Sequence, residues 1–96
     1  MFRYQIILEF DGTIFAGWQS QKNAKSVQKE VEKILYKTLG EKVSIYGSGR
    51  TDAGVHAKNQ SAHFDCKQSI PNKFKFIVSA NHFLNKKNIS IKNIIK

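Results

Sequence analysis

The sequence contains one cysteine and one proline, and it has no apolar run that approaches the length of a membrane span. A single cysteine, Cys66, excludes an internal disulfide. The amino terminus, MFRYQIILEF, lacks the basic stretch and long apolar core of a secretory signal. A membrane-spanning helix needs about 20 consecutive apolar residues. These absences together lead us to expect a cytoplasmic protein without membrane contact.

Acidic residues are also scarce, since 7 Asp and Glu stand against 16 Lys and Arg, for a formal net charge of +9. An excess of positive charge favours a polyanionic partner such as nucleic acid. The two arginines are Arg3 and Arg50, so a general lysine bias of the source proteome is an equally serious explanation. With 96 residues, 41% of them hydrophobic, the chain is expected to form one folded domain over 1–96.

The first 40 residues carry the clearest structural patterns. Apolar and polar residues alternate over 2–10, which predicts a half-buried strand. Ser26 is a good helix N-cap and Gly40 a good helix stop, and they bracket a predicted helix. The apolar residues of that helix recur at helical spacing: Val27, Val31, Ile34 and Leu35.

The remaining elements follow from shorter patterns. Residues 43–46 predict a second strand and residues 58–66 a third, in which Ala62, Phe64 and Cys66 oppose Ser61, His63 and Asp65. Pro71 suits the first turn of a second helix. The predicted apolar face of that helix comprises Phe74, Ile77, Val78, Asn81 and Leu84, and a last strand is predicted from Ile89, Ile91 and Ile95.

The resulting order, β-α-β-β-α-β, is that of an α+β ferredoxin-like fold. This fold has a four-stranded antiparallel sheet with both helices on one face. The opposite face is left open, and the connection over 47–57 joins two strands of that sheet. We therefore expect the functional site on the open face, near this connection.

That connection reads GSGRTDAGVH over 47–56, and its glycines suggest several kinds of site. A phosphate-binding loop is a poor interpretation, because such loops open a helix whereas this one leads into a strand. A metal site built from His56, His63 and Cys66 is also a poor interpretation, since side chains three apart in a strand point to opposite faces. A buried Cys66 beside Phe64 is the simpler expectation.

Arg50 and Asp52 are the strongest candidates for chemistry in this segment. Residues two apart in an extended chain project the same way, so the guanidinium can hold the carboxylate ionised as a nucleophile or base. A structural ion pair on the surface is the alternative. Trp18 and Phe15 are similarly open between stacking on exposed bases and packing in the core.

Beyond these patterns, GRTDAGVHA at 49–57 resembles the signature of the tRNA pseudouridine synthase A family. The likeness extends to FDGTIFAGWQSQ at 10–21, SVQ at 26–28 and QSAHF at 60–64, in the expected order. It implies that Asp52 is the catalytic aspartate and that Arg50 is its basic partner, which helps to displace the target base. It also implies substrate contacts by a further set of residues: Gly49, Thr51, Gly54, His56, Trp18 and Gln19.

The resemblance implies an isomerase that converts uridine to pseudouridine in the anticodon stem and loop of tRNA, as a homodimer without cofactor or metal. Two departures stand out. Phe10 occupies a position where the family often has tyrosine, and family members carry a second half that supplies an active-site tyrosine and another basic residue. We therefore interpret 1–96 as the N-terminal half, which bears the catalytic aspartate. The alternatives are a noncatalytic RNA-binding module and a domain that does neither by itself.

Overall fold

The computed structural model describes residues 1–11, 26–47 and 57–96. Along the chain these residues form strand β1 (Phe2–Phe10), helix α1 (Val27–Leu39), strand β2 (Ile45–Gly47), strand β3 (Ala57–Cys66), helix α2 (Lys73–Leu84) and strand β4 (Ile89–Ile95). The strands form one antiparallel sheet in the order β2-β3-β1-β4. The α+β ferredoxin-like fold is therefore confirmed. In the described ranges, neither helix is long and apolar enough to cross a membrane.

Helix α1 begins and ends where its capping residues predict. The Ser26 hydroxyl accepts a hydrogen bond from the Lys29 N–H at 3.2 Å, which satisfies one of the free donors of the first turn. Gly40 has φ 76°, a left-handed conformation that glycine adopts without steric cost, and its N–H donates to the Tyr36 carbonyl. The predicted apolar residues of α1 are all buried: Val27, Val31, Ile34 and Leu35.

The core lies between the helices and one face of the sheet. Strand β1 supplies its centre with alternate side chains, which are at most 3% exposed: Tyr4, Ile6, Leu8 and Phe10. From β3, the predicted inward set of Ala62, Phe64 and Cys66 is confirmed as buried. Helices α1 and α2 add their own buried residues to the same cluster. The sheet is thus apolar towards the helices, which leaves its other face for a different use.

The predicted apolar face of α2 is wrong at Phe74 and Val78, which are 77% and 53% exposed, whereas Leu84 is buried as predicted. The residues that α2 buries are Phe76, Ala80 and Leu84. Its sequence is apolar on more than one side, so spacing alone did not determine its rotation. That rotation brings the Asn81 side chain to the backbone of β4, where it makes two hydrogen bonds.

The start of α2 and the end of β4 also differ from expectation. Asn72 is the N-cap of α2, since its side chain accepts from the Lys75 N–H at 2.9 Å, and Pro71 therefore lies before the helix. In β4 the pairing with β1 shifts by one residue between Ile7 and Leu8. Such a bulge reverses the alternation of side chains. Ile94 is consequently buried, whereas Ile95 is 44% exposed.

Candidate nucleic-acid interface

The two segments that carry the sequence motifs attach to the same end of the sheet. Phe10, at the end of β1, pairs with Ala57 of β3 on one side and with Ile89 of β4 on the other. The next residue, Asp11, donates its N–H to the Asn88 carbonyl at 3.0 Å. Residues 12–25 follow Asp11 in sequence, and residues 48–56 precede Ala57. The topology therefore brings the anchor points of both motif segments to neighbouring strands.

The predicted site residues belong to those two segments. They lie outside the described residues: Trp18, Gln19, Gly49, Arg50, Thr51, Asp52, Gly54 and His56. Phe15 lies there as well. Their roles stay predictions, and the structure contributes the positions of the strands to which their segments are joined.

An aromatic pair lies on the open face, directly before residues 48–56, which we call the glycine segment. Tyr46 and His63 are opposite one another across β2 and β3, and their rings stack with centroids 5.4 Å apart and planes 29° apart. Tyr46 is 55% exposed. Exposed aromatic rings provide surfaces on which unpaired bases can stack. Sequence reasoning missed this pair, although the placement of both residues opposite the buried set was the available signal.

The rest of the open face is polar and internally hydrogen bonded. Arg3 and Asp65 form a two-point ion pair, with Nε to Oδ1 at 2.9 Å and Nη2 to Oδ2 at 3.0 Å. The hydrogen bond from Arg3 is the main cause that lowers the pKa of Asp65, and the positive charge of Arg3 lowers it further. Beside this pair, the Gln5 amide donates to the Ser61 hydroxyl at 2.6 Å. A shallow depression is lined by Arg3, Gln5 and Ser61, together with the exposed Lys96.

Positive charge also reaches the end of the sheet where the motif segments attach. The Lys92 ammonium donates to the Lys58 carbonyl at 3.2 Å and to the Asn59 side-chain oxygen at 2.9 Å, and it lies 3.9 Å from a Glu9 carboxylate oxygen. Lys58 and Lys92 are both exposed. Exposed ammonium groups at this end of the sheet can contact phosphate oxygens of a nucleic acid.

His63 and Cys66 lie on opposite faces of β3. Cys66 is fully buried on the helix side, where its thiol donates to the Gln68 carbonyl at 3.0 Å, whereas His63 stacks on Tyr46 across the open face. Burial is the main cause that raises the pKa of the Cys66 thiol, so it is protonated at neutral pH. The two side chains do not converge on a common ion.

Residues 6–94 match the protein family described as tRNA pseudouridine synthase. The tRNA pseudouridine synthase A of Pelagibacter ubique (strain HTCC1062) is 58% identical over 96 residues, which are 100% of this chain and 39% of that protein. The tRNA pseudouridine synthase A of Neorickettsia sennetsu (strain ATCC VR-367 / Miyayama) is 45% identical over 92 residues, which are 96% of this chain and 38% of that protein.

One face of the sheet is covered by helices, and both motif segments join the sheet at one end. This arrangement is the framework of the candidate site. The family match extends over nearly all of it. The chain belongs to the tRNA pseudouridine synthase family, and it spans about two fifths of the length of the relatives it matches.

Proposed function

We propose that this chain is the aspartate-bearing half of a tRNA pseudouridine synthase, with Asp52 as the catalytic carboxylate. The observation that carries the proposal is the pairing of Phe10 with Ala57 at one end of the sheet. This pairing joins the segment that contains Asp52 to the strand that leads into the segment containing Trp18 and Gln19. The family match supports the same assignment.

The proposed reaction is an isomerisation within one nucleotide. The target uridine leaves its stack, its N1 to C1′ bond breaks, and the uracil turns and rejoins the ribose through C5. The proton at C5 is lost and N1 gains one, so the product has the composition of the substrate. An ionised Asp52 can add to the sugar or the base, or assist elimination at the sugar.

Arg50 has a separate role in this proposal. Its guanidinium occupies the space that the base vacates and neutralises backbone phosphate. The substrate contacts at Gly49, Thr51, Gly54, His56, Trp18 and Gln19 belong to the proposal on the strength of the family resemblance. So do the anticodon arm as the target, pairing of two copies in the complete enzyme, and a reaction without cofactor or metal. We also propose the cytoplasm as its location.

A chimera tests this proposal most directly. Residues 1–96 replace the matching segment of the Pelagibacter ubique relative, and the chimera is incubated with unmodified tRNA that carries tritium at C5 of its uridines. Formation of pseudouridine releases that tritium into water. We expect release by the chimera and complete loss of release in its Asp52→Asn variant, because the amide cannot act as the carboxylate does.

Glu41→Gln is the matched control for loss of a carboxylate. Glu41 accepts a hydrogen bond from the Lys67 N–H at 2.9 Å, and glutamine keeps an acceptor there. This variant should release tritium as the unmodified chimera does. An inactive chimera, or an active Asp52→Asn variant, would refute the proposed function.

A second candidate, noncatalytic RNA binding by the 96 residues alone, is favoured by the Tyr46 and His63 stack and the net charge of +9. It predicts that tRNA affinity falls steeply with salt, because phosphate contacts release counterions. It also predicts that Tyr46→Ala weakens binding by about 1–3 kcal/mol through loss of base stacking. Salt-independent binding measured by fluorescence anisotropy would contradict this candidate.

A further inference from the structure

In each outer strand of the sheet, the backbone of one residue is hydrogen bonded to side chains of the neighbouring helix. At β2, the Ile45 N–H donates to the Glu32 carboxylate at 2.9 Å, and the Gln28 amide donates to the Ile45 carbonyl at 3.0 Å. At β4, Asn81 makes both bonds itself, donating to the Ile91 carbonyl at 3.0 Å and accepting from the Ile91 N–H at 2.7 Å. In both strands, backbone groups on the edge that faces away from the rest of the sheet are thus hydrogen bonded to side chains.

The bonds at β2 hold a strand that has little else to fix it. Strand β2 comprises three residues and pairs with β3 alone in the described sheet. Gln28 and Glu32 are four residues apart, so they project from the same side of α1. The N-terminus of α1 is itself fixed by the fully buried Ser26 cap. We call Gln28, Glu32 and the Ile45 backbone the β2 clamp.

The position of the β2 clamp in the sequence gives it a consequence beyond stability. Ile45 has a fully buried side chain, and Gly47, two residues later, ends β2. The segment 48–56, with Arg50 and Asp52, continues from that point. A strand that slides or tilts moves the point from which this segment departs, and a misplacement of about 1 Å can cost roughly 100-fold in rate.

We propose that Gln28 and Glu32 are positioning residues for the segment that follows β2. They fix the register of β2 and its position relative to α1 through the Ile45 backbone. They thereby set where the segment with Asp52 begins. This inference rests on the proposed function for its effect on catalysis. Its structural part, that the β2 clamp controls the glycine segment, can be measured without any activity.

Asn81 provides a matched comparison within the same molecule. It makes the same pair of backbone bonds on the opposite edge of the sheet, but β4 carries neither motif segment. Loss of Asn81 removes a clamp of similar chemistry and similar burial. A general loss of stability should therefore appear in variants of either edge, whereas a positioning effect should appear in variants of the β2 clamp alone.

The first experiment measures amide NMR signals of Gly47, Gly49 and Gly54 in the 96-residue chain. We expect Gln28→Ala and Glu32→Ala to shift these signals and to speed hydrogen exchange at Ile45. Asn81→Ala should leave the glycine signals in place while it speeds exchange at Ile91. Glu32→Gln keeps an acceptor for the Ile45 N–H and should restore most of the unmodified spectrum.

The second experiment measures tritium release by the chimera that carries the same substitutions. We expect Gln28→Ala and Glu32→Ala to lower kcat by about 10- to 100-fold, with KM for tRNA within about twofold. Asn81→Ala should retain kcat at a temperature where all variants are folded, and Glu32→Gln should recover most of it. The folded fraction of each variant is measured by circular dichroism, and kcat is corrected for it. A loss of folded protein would therefore not produce a fall in kcat with an unchanged KM.

Unchanged glycine signals in both alanine variants of the β2 clamp would overturn the inference, as would an equal fall of kcat in Asn81→Ala. A chimera that is inactive before any clamp substitution refutes the proposed function instead. In that case the glycine signals still decide whether the β2 clamp controls the segment.

Discussion

The two faces of strand β1 show how one stretch of backbone serves two purposes. Towards the helices it presents Tyr4 and Leu8, which are almost completely buried, and towards the open side it presents Arg3 and Gln5, which bond to side chains of β3. The covered face supplies the buried apolar area that stabilises the domain. The open face contributes little to that area, so its side chains can be chosen for what they bind.

Among the substitutions that test this difference between the two faces, Phe64→Ala should lower the free energy of unfolding most. Phe64 is fully buried and its ring centre lies 5.9 Å from that of Tyr4, so truncation leaves a cavity in the core. We expect a loss of about 3–5 kcal/mol in the free energy of unfolding, measured with urea. His63→Ala changes the neighbouring residue on the open face and should cost well under half of that. Equal costs would mean that the two faces do not differ in this way.

Tyr4→Phe should have an intermediate effect. The Tyr4 hydroxyl accepts a hydrogen bond from the buried Ile70 N–H at 2.7 Å. Removal of the hydroxyl leaves that N–H without its partner, which should cost about 1–3 kcal/mol of unfolding free energy. Tyr46→Phe removes a hydroxyl from an exposed ring on the other face and is the matched control. A loss in the control as large as that in Tyr4→Phe would contradict this account.

The ion pair between Arg3 and Asp65 should have the smallest effect. Its hydrogen bond lowers the pKa of Asp65 below that of the unfolded chain, so the pair stabilises the fold above the unfolded pKa. This contribution is lost as pH falls through the folded pKa. The gap between the urea midpoints of the unmodified chain and Asp65→Asn should therefore stay constant above about pH 5, and it should close only as the pH falls below the unfolded value of about 3.9. A gap between the two midpoints that persists at low pH would count against the pair as its source.

The sequence predicted the elements whose signals are local. Alternation over 2–10 and the caps at Ser26 and Gly40 each depend on residues close in sequence, and the structure confirms that strand and helix. The predicted face of α2 was wrong at Phe74 and Val78, because the rotation of the helix depends on bonds between Asn81 and Ile91 of another element. A polar residue within an apolar stripe was the signal that could have suggested such a bond.

The candidate site divides in the same way between local and distant signals. Arg50 and Asp52 were proposed from a continuous motif, and their roles stay predictions. Gln28 lies in the SVQ stretch at 26–28 that resembles the family, but neither Gln28 nor Glu32 was assigned a role, because two polar residues four apart in a helix resemble an ordinary solvent-facing pair. Their bonds to Ile45 depend on how α1 lies over β2, and spacing within the helix does not reveal this packing.

The bonds at the outer strands also bear on the order in which the chain folds. Gln28 and Glu32 reach Ile45 across 17 and 13 residues, and Asn81 reaches Ile91 across 10, whereas β1 pairs with β4 across nearly the whole chain. Short loops close with less loss of entropy than long ones. We therefore expect each helix to engage its outer strand before the central pairing is complete. The two edge strands, whose unpaired backbone groups can pair with another nascent chain, would thus be hydrogen bonded early in folding.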